Sequence, residues 1–411
     1  MLLTCLVRWV LILSLAGLVG HQSADAQDGP FFNVRQTTLQ AGATGAVMEL
    51  HGLVRLTAAG KPVEKRFVLR YPETRSRWNG ALVIGAHGGG GGDNYSRDGK
   101  VIGTDENALD DVIGQHAVAH GFAYASVDRD GIGGAREGLA LTYQFTDVAA
   151  EQLVARMGRA PATTYVVGLS AGGSIARLAA EDPAKRYAGV LLIAGGNGDL
   201  PTRLDRQAAL AVQWPGIDPK THPGLSDTDS RVRAYADAIG TPVAARRLWP
   251  YTSTGATVAG VRRTLDQYGL TGLSDDQVRA FRVRDHASNA AFMDKVKAEN
   301  TTGALKVPTI EVVGTWDDLV ISEIRAYKKK ATASLHRLYQ VEGAWHMSPD
   351  DDGVASFQYI AEGRMGLGPD VANAMGEGTS YLPIVRESFD QLVRWVSNGE
   401  APAADRTVKG R

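Results

Sequence analysis

The chain has 411 residues, 44% hydrophobic and 22% charged, with a formal net charge of -1. That length suits one large domain carrying an insertion, or two modest domains, and the balanced charge without a basic block excludes the footprint of a nucleic-acid binder. The single cysteine, Cys5, lies in the leader described next, so the mature chain has no disulfide or thiolate chemistry.

Residues 1–26 read as a secretory signal. Arg8 is the only charge before an apolar run over residues 9–19, and Ala24-Asp25-Ala26 offers an A-x-A cleavage site. The run is short for a bilayer span, and Cys5 precedes it, which argues against lipid modification. The expectation is an exported protein, periplasmic or secreted, starting near Gln27 and keeping no membrane anchor.

Residues 47–56 and 63–71 read as paired strands around turn chemistry at Ala58-Ala59-Gly60-Lys61-Pro62. A strand over 81–86 ends in His87-Gly88-Gly89-Gly90-Gly91-Gly92, and residues 108–120 follow a helical period. A strand over 122–127 ends at Asp128-Arg129-Asp130-Gly131, read as a turn because no glutamate stands at calcium-loop spacing. A helix is predicted over 146–157, a strand over 164–167, a helix over 174–180 and a strand over 189–194.

Over residues 199–304 the β-α rhythm stops. Turn chemistry comes first, at Trp214-Pro215-Gly216 and His222-Pro223-Gly224, then helical stretches over 231–238, 276–284 and 287–299. The rhythm resumes with a strand over 309–313, a helix over 321–331, a strand over 335–341 and a closing helix over 384–396. Alternating strands and helices predict an α/β fold, its mostly parallel sheet covered on both faces. Residues 27–198 and 305–411 form its core and 199–304 a helical insertion.

The chemistry centres on Gly168-Leu169-Ser170-Ala171-Gly172-Gly173, a G-x-S-x-G nucleophile elbow between a predicted strand and a predicted helix. A serine hydroxyl is a weak nucleophile, so it needs a base and a group that orients the base. Asp317, preferred to Asp318, follows the strand over 309–313 and supplies the orienting acid; His346 follows the next strand and supplies the base. Competing histidines are worse placed: His336 in a strand, His116 and His120 in a helix, His222 and His286 in the insertion.

An oxyanion needs donors. These are the backbone N–H of Ala171 and one from the glycine run, Gly89 or Gly88; no Gly-Lys-Ser/Thr follows that run, which disfavours a phosphate loop. Trp316 and Trp345 each precede a triad candidate and offer either a substrate wall or packing beneath the loops. Each triad candidate also has a plain reading that its context disfavours: Ser170 as a turn serine and His346 as a loop histidine, while one of Asp317 and Asp318 reads as a helix N-cap. Their joint occurrence in the order serine, acid, histidine favours catalysis.

Together these residues resemble the α/β-hydrolase superfamily over residues 40–400. Within it, three pieces are similar to the tannase and feruloyl esterase family: Arg77-Trp78-Asn79-Gly80, the elbow with its extra Gly173, and the tail from Phe389 to Gly399-Glu400-Ala401-Pro402. The two cysteines that flank the serine and histidine in that family are Leu169 and Met347 here. The resemblance implies the α/β-hydrolase fold, a lid formed by 199–304, and cleavage of a small-molecule carboxylic ester, aromatic or hydroxycinnamoyl/galloyl, through an acyl-enzyme on Ser170. It implies no metal and no organic cofactor. A serine peptidase of the same fold and a non-catalytic binding protein are the alternatives; acyl group, alcohol group and oligomeric state stay open.

Overall fold

The structure, a computed structural model, describes residues 29–40, 45–88, 94–96, 98–213, 230, 258–317, 320–350, 359 and 378–410. The signal (1–26), Gly89, Asp318 and the helical stretch predicted over 231–238 lie outside them.

Ten strands form one sheet in the order β1-β2-β3-β7-β4-β8-β9-β10-β11-β12. β1 (Phe31–Gln40), β2 (Ala46–Ala58) and β3 (Lys61–Pro72) run antiparallel, and β3 is also antiparallel to β7. The predicted turn closes β2 onto β3: Ala59 and Gly60 both have positive φ, 47° and 75°, the two-residue hairpin geometry that matches strand twist. From β7 (Ala123–Val127) onward every pairing is parallel, through β4 (Ala81–Ala86), β8 (Thr163–Leu169), β9 (Gly189–Ile193), β10 (Thr309–Gly314), β11 (His336–Glu342) and β12 (Arg406–Lys409). A two-stranded ribbon, β5 (Asn94–Tyr95) with β6 (Val101–Gly103), stands apart.

Every residue of β4, β7, β9 and β10 is buried, as expected of parallel strands covered on both faces. Alternate residues feed two cores. Leu82, Ile84, Ala125, Val166 and Leu192 pack against Leu141 and Phe145 of α2 (Ala135–Met157) and Ala176 and Ala179 of α3 (Ala171–Glu181). On the other face Val83, Tyr124, Val167, Ile193 and Val312 meet Ile113 and, from the closing helix Leu382–Asn398, Phe389 and Leu392.

Sequence expectation and structure differ at several elements. β1 and β12 were not predicted, and α2 begins at Ala135, well before the expected 146. The single helix expected over 108–120 is instead a wide π turn, Asp110–Gly114, followed by α1 (Gln115–Ala119). Within that turn position 114 favours glycine, because a Cβ there would stand 2.9 Å from Asp110 Oδ1 and 3.1 Å from the Tyr124 ring.

Within 199–304 the described residues hold helices α4 (Leu200–Gln213), α5 (Val258–Gln267), α6 (Asp275–Ala280) and α7 (Ala290–Glu299). Leu204, Ala208, Val261, Leu265, Val278 and Phe292 give them a small core of their own. α6 opens on a capping box at Ser274 and Gln277, and Asn289 caps α7, which sets its start at 290 instead of 287. No described helix is long and apolar enough to cross a membrane.

Candidate active site

The parallel register levels the C-terminal ends of the central strands, with Ala86 beside Gly168, Leu169 beside Ile193, and Gly314 beside Val341. In an open α/β sheet that edge is where ligands bind. β8 turns there directly into α3 through Ser170, whose backbone sits at φ 53°, ψ -117°, a strained conformation for a residue with a side chain. Three backbone hydrogen bonds fix it: Ser170 N–H donates to Ile193 O at 2.9 Å, and Gly196 and Ser174 N–H donate to Ser170 O at 3.0 and 3.3 Å. Gly172 is required because a Cβ there would run into the carbonyl of Ala86.

The sequence-predicted acid, base and serine meet. His346 Nδ1 donates to Asp317 Oδ2 at 2.8 Å, which leaves Nε2, 2.8 Å from Ser170 Oγ, as the acceptor of the hydroxyl proton. Asp317 is 1% exposed, and its Oδ1 has no hydrogen-bond partner among the described residues. The loops after β10 and β11 are laced together by Trp316 N–H to Ala344 O (3.0 Å) and Gly343 N–H to Thr315 Oγ1 (3.0 Å). Tyr381 Oη donates to His346 O at 3.1 Å and holds the histidine loop from the start of the closing helix.

Ala171 is the first residue of α3, so its N–H lies at the helix N-terminus beside the serine. Gly88 faces the serine: a Cβ built on it would stand 3.4 Å from Ser170 Cβ. Two further residues, Arg129 and His87, fix this loop, and sequence reading missed both of these roles. Arg129 Nη2 donates to the carbonyls of His87 and Gly88, the latter at 3.3 Å. His87 Nδ1 donates to Gly88 O at 3.0 Å while Nε2 accepts from Arg129 N–H at 3.3 Å. Burial first, and the Arg129 charge second, push the His87 imidazole down to about 3, so it is neutral and this tautomer holds. The only signals were that His87 opens the glycine run and that Arg129 sits in the turn after β7.

His87, Asp105 and Asp128 bring ligand atoms within 4.8 Å of one another, as do His116, His120 and Asp390. In the first group both imidazole nitrogens are engaged as above, and Arg129 lies beside both aspartates as their counter-charge. His116 Nε2 lies 2.9 Å from Asp390 in the second.

The two tryptophans meet edge to face, ring centroids 6.0 Å apart. Trp345 is 6% exposed, in keeping with packing beneath the loops, whereas Trp316 is partly exposed. A cavity of about 300 Å³ adjoins Ser170, and neither tryptophan is among the described residues that line it. Beneath the elbow lies a buried polar network. Arg177, fully buried, donates to Glu311 Oε2 and Gly195 O, each at 3.0 Å, and covers the Tyr327 ring at 4.2 Å. Burial alone would raise the Glu311 carboxyl, but Arg177 and the hydrogen bonds from His336 and Arg177 hold it below its usual range.

The family model described as "Alpha/beta hydrolase family" matches residues 83–357. Feruloyl esterase B from Aspergillus oryzae is similar in structure, with a TM-score of 0.54 and 14% identity over 92% of this chain and 89% of that one. The rice cell wall degrading esterase LipA from Xanthomonas oryzae follows at a TM-score of 0.47 and 12% identity, covering 89% of this chain and 98% of that one. At 14% identity the likeness to feruloyl esterase B is one of fold. No curated protein matches the chain.

Proposed function

The chain belongs to the alpha/beta hydrolase family, and we propose that it is an exported serine hydrolase that cleaves carboxylic esters through an acyl-enzyme on Ser170. The observation that carries this reading is the hydrogen-bonded series Asp317–His346–Ser170 at a strained elbow. Ser170 Oγ attacks the ester carbonyl carbon while His346 Nε2 takes the hydroxyl proton. Asp317 fixes the imidazole tautomer and stabilises the imidazolium. The tetrahedral oxyanion is held by the N–H of Ala171 and of the glycine run at Gly88 or Gly89. His346 then protonates the departing alkoxide, and water, activated by the same imidazole, releases the acid.

Residues 199–304 act as a lid in this reading, supported by the helices and separate core of their described part. An aromatic, hydroxycinnamoyl or galloyl acyl group is the finer expectation, supported by the tannase-like motifs and by the partly exposed Trp316 next to the acid. The test is hydrolysis of short-chain, aromatic and hydroxycinnamoyl esters, and of matched amides, by the mature protein and by Ser170→Ala. Ester turnover lost in the variant supports the proposal. Turnover of amides over esters would favour a peptidase, and equal inertness of both proteins would overturn catalysis.

A further inference from the structure

The cavity beside Ser170 has an unusual charge. Arg129 and Arg203 line it together with Ser174, Ile175, Asn197 and Val320, and no carboxylate is among the described residues of its wall. Arg203 comes from α4, in the segment inserted between the two core halves, and is partly exposed. Its Nη1 donates to Asn197 Oδ1 at 2.6 Å, and no carboxylate hydrogen-bonds it among the described residues. Nη1 stands 3.9 Å from where a Cβ on Gly196 would be, and Gly196 N–H donates to Ser170 O. The guanidinium is therefore held against the turn that supports the serine.

Neighbouring carboxylates are otherwise occupied or set back. Glu299 Oε2 accepts from Ala135 N–H at 2.9 Å. Glu323 is fully buried outside the cavity wall and neither of its oxygens has a hydrogen-bond partner among the described residues; burial pushes its carboxyl up to about 7 against the pull of the Arg203 and Arg177 charges, so it faces Arg203 across space without a hydrogen bond to it. Arg129 is committed to the carbonyls of His87 and Gly88 and its charge is offset by Asp105 and Asp128, so Arg203 is the cation that this wall offers a ligand. What remains is a guanidinium with donors to spare on the wall of a small, partly apolar cavity, which favours a planar anion that takes two parallel hydrogen bonds.

We propose that this cavity binds a carboxylate carried by the substrate, with Arg203 as the specificity-determining residue, so that the ester cleaved is an anionic one. The proposal rests on the esterase reading above. The cavity's volume of about 300 Å³ accommodates a short acid. The carboxylate belongs either to the acyl half or to the alcohol half of the ester, and both carry the same chemistry to Arg203.

The experiment compares two matched pairs by pH-stat titration. Monomethyl glutarate against methyl 5-methylhexanoate places the charge on the acyl side; acetoxyacetate against isobutyl acetate places it on the alcohol side. The wild type is expected to favour the anionic member of one pair in kcat/KM. Arg203→Met should lower that ratio at least tenfold, about the worth of one charge-assisted hydrogen bond, and Arg203→Lys should restore part of it. The same two anions are titrated calorimetrically into Ser170→Ala and into Ser170→Ala carrying Arg203→Met. Binding that depends on Arg203 sustains the carboxylate site even if no ester is turned over, which would sink only the esterase reading. Turnover of the esters with no preference for the anionic member of either pair, or no Arg203-dependent binding of either anion, overturns the carboxylate site.

Discussion

His346 Nε2 lies 2.8 Å from Ser170 Oγ although 176 residues separate them in sequence. Three strand ends produce that distance: β8 delivers the serine, β10 the aspartate and β11 the histidine, all at one edge of the sheet. The aspartate loop and the histidine loop bond to each other, so the imidazole is oriented before any substrate arrives.

The orienting role of Asp317 sets a graded expectation. Asp317→Asn keeps the shape but favours the wrong imidazole tautomer, so kcat on an activated ester should fall about 10⁴-fold. Ser170→Ala should fall about 10⁶-fold. Steady-state kinetics of the two variants check this, and an Asp317→Asn enzyme within tenfold of wild type would remove that residue from the triad.

Arg129 should act through the loop it holds. Arg129→Met releases the carbonyls of His87 and Gly88, and loss of an aligned oxyanion donor costs about 10²-fold or more in kcat. KM should change little, because the donor matters when charge develops on the oxygen. Michaelis–Menten parameters decide it: a variant altered in KM alone would place Arg129 in ground-state binding.

The Arg177–Glu311 pair, with both side chains at 0% exposure, predicts a stability effect. Glu311→Gln leaves a buried guanidinium without its counter-charge and should cost about 3–5 kcal/mol in urea unfolding. Replacing both partners, as Arg177→Met with Glu311→Leu, should cost less than the single change. A Glu311→Gln protein as stable as wild type would contradict this account of the network.

Glu323 predicts a pH dependence. Burial raises its folded-state carboxyl to about 7 from the ordinary 4.5. Above pH ~4.5 the unfolded chain releases a proton that the native chain keeps, so stability falls as pH rises through this window and levels off above about 7. The full cost is roughly 3 kcal/mol. Glu323→Gln should therefore be more stable than wild type at pH 8 and show little of that gain at pH 5. Chemical denaturation at the two pH values measures it; an equal difference at both would mean that Glu323 ionises normally.

The sheet core was readable because doubly covered strands are continuous apolar runs, as in Leu82-Val83-Ile84 and Val190-Leu191-Leu192-Ile193. The grouping of Ser170, Asp317 and His346 was readable because each stands on the loop just past a predicted strand, in the order serine, acid, histidine. β1 was not, since its Arg35-Gln36-Thr37-Thr38 stretch is polar and the strand is defined by its pairing to β2. α4 was not anticipated, although Leu200, Leu204, Ala208 and Ala211 share a helical face; Pro201 stands in its first turn, where proline is well tolerated. Arg129 and Arg203 were beyond reach for another reason. Where a long side chain ends depends on the packing of several elements, and spacing along the chain does not record it.

If Ser170 is the nucleophile, it reacts covalently with an electrophile that mimics the ester. Intact-mass and peptide mass spectrometry of the mature protein treated with an alkyl fluorophosphonate tests it directly. One phosphonyl group per chain is expected, located on Ser170, with parallel loss of ester hydrolysis and no labelling of Ser170→Ala. A protein that stays unlabelled, or label that persists at the same level in Ser170→Ala, would contradict Ser170 as the nucleophile.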